Sequence, residues 1–253
     1  MTSTSVNMRK TELGIVSTHH RTLSRSHNTS TPASYAIVKR TIDILIAGVA
    51  IIALAPLWVL IAIAIKLDSQ GPVFFSQYRV RGQQLPDAWA PQNNIFTFFK
   101  FRSMYVNSDT TIHRDYVTAM INGQDQDANN GSKTEPVYKL KRDPRITRVG
   151  RFLRSTSLDE LPQLLNILRG DMSLVGPRPA LPYEVEQYAP HHHERLVPQA
   201  GLTGLWQVSG RTKLAFEEMV ALDIEYSRTR SLWLDIKILF RTIPAVLSRE
   251  GAC

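Results

Sequence analysis

The chain has 253 residues, 30 basic side chains against 22 acidic ones, a formal net charge of +8 and a single cysteine. One cysteine excludes an intramolecular disulfide, so nothing in the composition indicates an oxidising compartment. The positive charge favours an anionic partner, which is either nucleic acid, a phosphorylated substrate or an anionic membrane surface.

The chain begins with a polar tail and a long apolar stretch. Residues 1–34 are rich in Ser, Thr, Asn and His without apolar periodicity, which predicts a disordered tail. From Ile42 to Ile65 the sequence is almost entirely apolar apart from Asp43 and Pro56. A helix of this length reaches ~36 Å, enough for the ~30 Å hydrocarbon core of a bilayer. A buried core helix would be shorter and would show a polar stripe, so the pattern predicts a membrane segment over 35–66.

Pro56 and the flanking charges bear on the topology of this segment. Proline removes a backbone hydrogen bond in a helix and favours a kink. Basic residues lie on both sides of the segment: Lys39 and Arg40 before it, and Lys66, Arg79 and Arg81 after it. Under the positive-inside rule both flanks prefer the cytoplasm. A straight span would place one basic flank outside, so we favour the hypothesis of a re-entrant helix-break-helix.

Two short apolar runs follow the membrane segment and predict a β-hairpin. They are Val73–Phe75 and the partly alternating stretch Ile95–Arg102. On a strand, Lys100 and Arg102 share one face, so they are predicted to meet one anionic group. An ordinary solvated face is the alternative.

The stretch STSLDELPQLLNILRGDMSLVGPRP, residues 155–179, places two acids side by side at the start of a predicted helix. Ser157 as N-cap and Glu160 at the N3 position fit a capping box, and Gly170 fits a helix end. Acids in a first turn also complement the helix dipole. The local pattern alone therefore favours a structural role for Asp159 and Glu160 over a chemical one.

Candidate anion-binding residues surround this stretch. Arg154 precedes the acids, and Arg178 lies between two prolines that limit its backbone, as a fixed clamp for phosphate requires. The glycine-rich stretch Gly201–Arg211 can bring backbone N–H groups close to phosphate. Surface turns are the alternative for both loops. His191–His193 offers poor metal geometry and is predicted to be a solvated loop, and Ser231–Arg241 predicts a helix that lies at the membrane interface or packs on the core.

Together these motifs resemble the bacterial monotopic phosphoglycosyl transferases, also called bacterial sugar transferases. The resemblance covers about residues 38–248, and the narrower likeness is to single-domain enzymes that start exopolysaccharides such as succinoglycan by transferring galactosyl phosphate. The matching motifs are Lys39-Arg40 with Asp43, Pro56, FKFRSM at Phe99–Met104, Arg154–Pro179 and Gly201–Arg211.

The resemblance implies a mainly helical α/β fold, with a cytoplasmic catalytic domain and a small β-hairpin on an N-terminal re-entrant segment. The domains would be a tail (1–34), a membrane helix (35–66) and a catalytic domain (67–253) with an interfacial C-terminal helix. The implied reaction transfers a hexose 1-phosphate, galactose or glucose, from a UDP-sugar to undecaprenyl phosphate and releases UMP, with Mg²⁺ as cofactor. The implied location is the bacterial inner membrane, in contact with its lipid. No nucleic-acid partner is expected, and the oligomeric state stays open.

The resemblance also assigns roles to individual residues. Asp159 would be the nucleophile that forms a covalent aspartyl phosphosugar, and Asp159 and Glu160 would bind Mg²⁺. The residues expected to hold the substrate phosphates and the nucleotide are Lys100, Arg102, Arg154, Arg178 and Arg211. Those expected to define the membrane segment are Lys39, Arg40, Asp43 and Pro56.

Two departures from the family pattern and two alternative functions remain. Gln199-Ala200 stands where the family usually has Arg-Pro, so an anion contact is lost or is supplied by Arg195. The loop Gln83–Asn94 is also longer than usual. A metal-dependent phosphatase with an aspartyl nucleophile would need an Asp-x-Asp signature at the acidic pair, where the sequence has Asp159-Glu160-Leu161 instead. A membrane-anchored basic binding module without catalysis is the non-enzymatic alternative.

Overall fold

The computed structural model describes residues 32–82, 94–109, 111–122 and 143–248. Nearly all of the predicted tail and most of the predicted long loop lie outside these ranges. The α-helices are α1 (Ala33–Asp68), α2 (Thr111–Ile121), α3 (Arg148–Ser155), α4 (Gln163–Arg169), α5 (Pro182–Val185), α6 (Leu205–Ser209), α7 (Phe216–Thr229) and α8 (Leu232–Leu247). The strands are β1 (Phe74–Val80), β2 (Ile95–Phe101), β3 (Ser173–Val175) and β4 (Gly201–Thr203). Short 3₁₀ helices cover Leu158–Glu160, Pro190–Leu196 and Arg211–Lys213.

Helix α1 confirms the predicted apolar helix and extends it at both ends. It runs from Ala33 to Asp68 with Pro56 inside it, and the assignment continues through the proline. Within the described residues it is the one helix long and apolar enough to cross a membrane, by length and composition. Its exposed apolar side chains include Ile44, Leu45, Ile46, Val49, Ile52, Val59, Leu60 and Ile63. A row of apolar side chains that the protein leaves uncovered is what a lipid-facing helix requires.

The predicted β-hairpin is confirmed. Strands β1 and β2 pair antiparallel, with Phe74 opposite Phe101 and Val80 opposite Ile95. The hairpin packs on the C-terminal half of α1, where the Trp58 ring meets Phe101 edge-on at 5.4 Å between centroids. The described chain is thus mainly helical with small sheets, as the sequence predicted.

Strands β3 and β4 form a second, parallel pair that the sequence analysis did not predict. Their backbones approach so closely that a Cβ on Gly176 would lie 2.1 Å from the Gln199 carbonyl oxygen. A Cβ on Gly201 would lie 2.1 Å from the Gly176 nitrogen. Only glycine fits at either position, and the contact fixes the path of the loop Gly176–Pro179 that follows β3.

Polar contacts attach α1 to the rest of the chain at both ends. Near its N-terminus, Asp43 Oδ1 accepts a hydrogen bond of 3.0 Å from the Leu174 N–H. Arg40 donates to the carbonyl oxygens that end α4, at 2.5 and 2.8 Å. At its C-terminus, Asp68 Oδ2 accepts from the Val149 N–H at 3.0 Å. Both ends of the helix therefore lie against the rest of the described chain.

The predicted capping box is wrong. Ser157 has a left-handed backbone (φ 58°) and its side chain makes no cap hydrogen bond. Residues Leu158–Glu160 form a separate 3₁₀ turn, and α4 begins only at Gln163, after Pro162. Proline fits the start of a helix because it has no N–H to donate. Gly170 ends α4 in the left-handed conformation (φ 86°), as predicted.

Helix α8 confirms the alternative of packing on the core, and its place at a membrane interface stays a prediction. Asp235 and Ile238 are buried against the core. Trp233 and Phe240 are 75% and 70% exposed on the other face. One face therefore packs on the domain and the other presents large apolar side chains outward.

Candidate active site

Three separate elements bring charged side chains together around Asp159 and Glu160. Lys100 Nζ, at the end of β2, lies 2.7 Å from Glu160 Oε1 and 3.5 Å from Asp159 Oδ2. Arg178 Nη1, from the loop Gly176–Pro179, lies 3.1 Å from the same Glu160 oxygen. The 3₁₀ turn presents the two carboxylates to these cations. The fold therefore brings together Lys100, Arg178 and the acids, which lie in separate parts of the sequence.

Burial and neighbouring charges shift the pKa values of the two carboxylates in opposite directions. Burial alone would raise the pKa of Glu160, but the charges of Lys100 and Arg178 outweigh it and hold that pKa well below its ordinary value. For Asp159, burial raises the pKa, Lys100 opposes the rise and the Glu160 charge adds to it. Asp159 is therefore the more basic of the two carboxylates, and Glu160 is the one fixed in its charged form.

Further guanidinium groups extend this cationic surface. Arg154 Nη1 is buried and has no hydrogen-bond partner in the described part of the chain. Arg211 donates from Nε to the Gln207 carbonyl at 3.1 Å. Burial lowers the pKa of Arg211 and the charge of Glu160 opposes that shift. These groups can bind the oxygens of a phosphate or diphosphate, for which guanidinium geometry is well suited.

Arg79 is a residue of this region that the sequence analysis named only as a basic residue flanking the membrane segment. From β1 it donates a 2.9 Å hydrogen bond to the Pro179 carbonyl, directly beside Arg178. Its Nε is buried without a partner among the described residues. An arginine inside the strand sequence FFSQYRV is a signal that could have found it, because a charged side chain in a short strand with three aromatic residues is a candidate for a polar contact.

Arg102 is not brought to the dyad, and the prediction that it shares an anion with Lys100 is wrong. Strand β2 ends at Phe101, and the buried Arg102 side chain turns to the C-terminal end of α1. It donates to the Ser69 and Gln70 carbonyls, each at 2.7 Å, and to Ser69 Oγ at 3.0 Å. The C-terminal end of a helix carries partial negative charge and unpaired carbonyls, which explains its attraction for this guanidinium.

Arg195 does not replace the arginine that the family has at position 199. Its guanidinium is buried and pairs with Asp223 Oδ2 at 2.6 and 3.0 Å. Gln199 instead donates to the Gly170 carbonyl at 2.7 Å. Both residues thus hold the domain together rather than extend the cationic surface at the dyad.

The prediction of a solvated histidine loop is wrong for His192, which is 3% exposed. His191, His192 and Glu217 place their ligand atoms within 4.8 Å of one another. However, His192 Nδ1 accepts a hydrogen bond from the Ala189 N–H at 3.1 Å. The ring proton must then be on Nε2, which donates to Glu217 at 2.8 Å. The geometry is that of a structural hydrogen bond, and it favours no metal ion.

The predicted membrane-segment residues lie at two places. Lys39, Arg40 and Asp43 dock the N-terminal end of α1, and Lys39 Nζ pairs with Asp235 at 2.8 Å. Beside them is a cavity of about 310 Å³ that Gln199 also lines. Pro56 lies near the middle of α1 and is exposed. The polar members of this set therefore act as attachment points on the domain.

In the described residues, an acidic pair inside a cationic surface accompanies one helix that is long and apolar enough to cross a membrane. The family model described as "Bacterial sugar transferase" matches residues 34–249, so the chain belongs to this family. That result confirms the resemblance read from the sequence motifs.

Several relatives of this chain are named for sugar transfer to a lipid carrier, and others for exopolysaccharide production. An "Undecaprenyl-phosphate galactose phosphotransferase" of Salmonella typhimurium is 39% identical over 242 residues, which cover 96% of this chain and 47% of that protein. An "Exopolysaccharide production protein ExoY" of Sinorhizobium fredii is 39% identical over 218 residues, covering 85% of this chain and 88% of that protein. A "UDP-glucose:undecaprenyl-phosphate glucose-1-phosphate transferase" of Caulobacter vibrioides is 39% identical over 223 residues, covering 85% and 71%. The chain spans about half the length of several curated relatives that it matches.

Proposed function

We propose that this protein transfers a hexose 1-phosphate from a UDP-sugar to undecaprenyl phosphate and releases UMP, as the first membrane step of exopolysaccharide or related glycan synthesis. The observation that carries the proposal is the pair of the buried Asp159 and the half-buried Glu160, held by Lys100 and Arg178, in a chain of the bacterial sugar transferase family. Relatives are named for galactose and for glucose, and both sugars remain candidates.

The proposed reaction has two displacements at one phosphorus atom. Asp159 is the nucleophile because it is the more basic carboxylate of the pair. Its oxygen forms a bond to the β-phosphorus of the UDP-sugar while the bond from that phosphorus to the bridging oxygen breaks, and UMP leaves with the electron pair. An aspartyl phosphosugar remains. A phosphate oxygen of undecaprenyl phosphate then attacks the same phosphorus, and the Asp159 carboxylate is released as the lipid diphosphate sugar forms.

The surrounding cations suit the charges that develop in these steps. Arg178 and Lys100 lie within hydrogen-bond distance of Glu160, so both cations belong to the same site. Arg154 has a buried N–H group to offer to a phosphate oxygen. Fixed donors aimed at phosphate oxygens stabilise the transition state without reorganising.

Mg²⁺ is part of the proposal, and the donor set fits it. Both ion pairs of Glu160 use Oε1, which leaves Oε2 for a cation, and Asp159 adds a second carboxylate beside it. Carboxylate oxygens are the protein ligands that Mg²⁺ prefers. When bound by Asp159 and Glu160, the ion would offset the negative charge of the diphosphate.

For the membrane topology, we propose a re-entrant α1 with the catalytic domain on the cytoplasmic face of the inner membrane. The contacts of Asp43 with β3 and of Asp68 with α3 support it, because both ends of α1 lie against one domain. A domain on one side of a bilayer keeps both contacts only if both helix ends are on that side. The arrangement also leaves both basic flanks in the cytoplasm.

The domain boundaries belong to the same proposal. Residues 35–66 form the membrane anchor and 67–253 the catalytic domain. The exposed Trp233 and Phe240 support an interfacial α8, since aromatic side chains favour the lipid–water boundary.

Topology can be tested with single-cysteine variants. Cys253→Ser removes the natural cysteine, and Ser34→Cys places a thiol on an exposed position at the start of α1. A membrane-impermeant maleimide should label this thiol only after cells are lysed. Labelling of intact spheroplasts at Ser34→Cys would place the N-terminal flank outside and contradict the re-entrant arrangement.

The reaction can be tested by UMP release in detergent, with Mg²⁺, a panel of UDP-sugars, and with or without undecaprenyl phosphate. Wild type should release UMP with at least one UDP-sugar, Asp159→Asn should not, and the remote acid variant Glu217→Gln should match wild type. If no sugar supports release from folded protein, the transferase proposal fails. Lipid or nucleic-acid binding that Asp159→Asn retains and that falls steeply with salt would then indicate the basic binding module.

A further inference from the structure

Asn166 is a buried amide that joins the helix after the dyad to the strand that carries Lys100. The residue lies in α4 and is 0% exposed. Its Oδ1 accepts a 3.1 Å hydrogen bond from the Phe99 N–H. Its Nδ2 donates a 2.7 Å hydrogen bond to the Thr97 carbonyl. The backbone groups of residues two apart face the same strand edge, so one side chain satisfies this edge of β2, opposite the edge that β1 covers.

The orientation of this amide is fixed by a third contact. Nδ2 also lies 3.3 Å from Asp171 Oδ2, and Asp171 pairs with Arg81 at the end of β1. Turning the amide over would place Oδ1 against two acceptors, the Thr97 carbonyl and the Asp171 carboxylate. It would also place the amide N–H groups against the Phe99 N–H. The side chain therefore has one acceptable orientation, and that orientation holds β2 in a single register against α4.

This contact lies next to the reacting groups on both elements. Lys100 directly follows Phe99, and Glu160 precedes Asn166 on the same short segment. Strand β2 is thus attached to the segment at two points, through the amide of Asn166 and through the ion pair between Lys100 and Glu160. Without the first attachment, the Phe99 N–H and the Thr97 carbonyl lose these hydrogen bonds, so we expect this edge of β2 to shift and the Lys100 ammonium to leave its position 3.5 Å from Asp159.

We infer that Asn166 is a positioning residue for sugar-phosphate transfer and that it acts by setting the place of the Lys100 ammonium beside Asp159 and Glu160. The inference rests on the proposed function, because it gives Lys100 a part in that reaction. A structural role alone would lower the stability of the protein without acting through Lys100.

A double-mutant cycle separates the two roles. The variants are Asn166→Ala, Lys100→Met and the combination, and the measured quantities are kcat and KM for UMP release. Asn166→Ala should lower kcat about tenfold to a hundredfold with less than about a threefold change in KM, since a misplaced cation weakens the transition state more than substrate binding. In the Lys100→Met background the same substitution should change kcat less than about threefold, because the group that it positions is gone.

A control variant tests for effects that the loss of any side-chain amide would cause, and a second substitution at Asn166 is used if the first does not fold. Gln187→Ala removes another side-chain amide, which donates to Thr118 Oγ1 at 3.1 Å and has no hydrogen bond to β2. Its kcat should stay within about twofold of wild type. If Asn166→Ala does not fold in detergent, as thermal unfolding would show, Asn166→Asp takes its place in the cycle. Aspartate keeps the acceptor for the Phe99 N–H and loses the donor to the Thr97 carbonyl.

The outcomes distinguish this inference from the proposed function. A wild type that releases no UMP overturns the proposed function. An active wild type in which the Asn166 substitution lowers kcat equally in both backgrounds, or not at all, overturns the positioning role alone. A kcat loss that disappears in the Lys100→Met background supports it.

Discussion

Replacing Arg102 by methionine removes the guanidinium that closes the C-terminal end of α1 and leaves a side chain of similar length. The change therefore tests whether Arg102 attaches the membrane helix to β2 or binds substrate. In the structure the guanidinium donates to two backbone carbonyls and one hydroxyl, all within 3.0 Å. We expect a large loss of stability and little direct effect on substrate affinity.

The magnitude follows from these three hydrogen bonds. A hydrogen bond from a charged donor contributes about 1.5–3 kcal/mol. Ordering a long side chain opposes this by about 2 kcal/mol, and the exposed carbonyl of Gln70 regains water in the variant. The free energy of unfolding should therefore fall by about 3–5 kcal/mol. For a domain of this size that corresponds to a decrease in Tm of about 6–20 °C.

The assay is thermal unfolding in detergent, followed by tryptophan emission, together with KM for the UDP-sugar. Gly71→Ala provides an independent perturbation of the same contact, because its Cβ would lie 2.1 Å from Arg102 Nη1 on a backbone with φ of 120°. It should also lower Tm. If Arg102→Met unfolds within about 2 °C of wild type while KM rises tenfold or more, the guanidinium binds substrate. That result would refute the role of Arg102 in stabilising the C-terminal end of α1.

Three further predictions concern the site, the core and the metal. Asp159 attacks in its charged form, so UMP release should fall as pH drops through the Asp159 pKa. Burial raises this pKa and the Lys100 charge opposes the rise. Lys100→Met should therefore move the acid limb of the kcat/KM profile to still higher pH. A shift to lower pH would contradict this electrostatic assignment. Gly150→Ala would place a Cβ 2.0 Å from the Ser103 carbonyl oxygen, so it should lower Tm strongly, and an unchanged Tm would show that α3 can move. EDTA should abolish UMP release and added Mg²⁺ should restore it, whereas full activity in EDTA would remove the ion from the proposal.

The features that the sequence predicted well depend on local patterns. The uninterrupted apolar stretch predicted α1, and alternation around Phe99 predicted the hairpin. Lys100, Arg178 and the two acids were predicted to share a site through their motif, and the structure brings them together. In each case the information lies within a short window or in recognisable motifs, which for the site are Phe99–Met104 and Arg154–Pro179.

The features that the sequence missed depend on contacts between distant segments. Ser157 has the composition of an N-cap, but the turn before Pro162 gives it a left-handed backbone instead. Arg102 follows the alternation of β2, but the strand ends one residue earlier and the carbonyls of α1 attract the side chain. Arg195 resembles a free cation in sequence, whereas Asp223 on α7 neutralises it in the core. No pattern within a short window contains these partners.

The glycine contact between β3 and β4 has a consequence for ligand recognition. Because backbone presses on backbone at Gly176 and Gly201, the loop that carries Arg178 is rigid before any ligand arrives. A preorganised cation loses little conformational entropy when it captures an anion, so more of the interaction energy is available for affinity and for catalysis. Sequence divergence can therefore change the side chains around this loop, but it cannot change the path of the loop without separating the two strands.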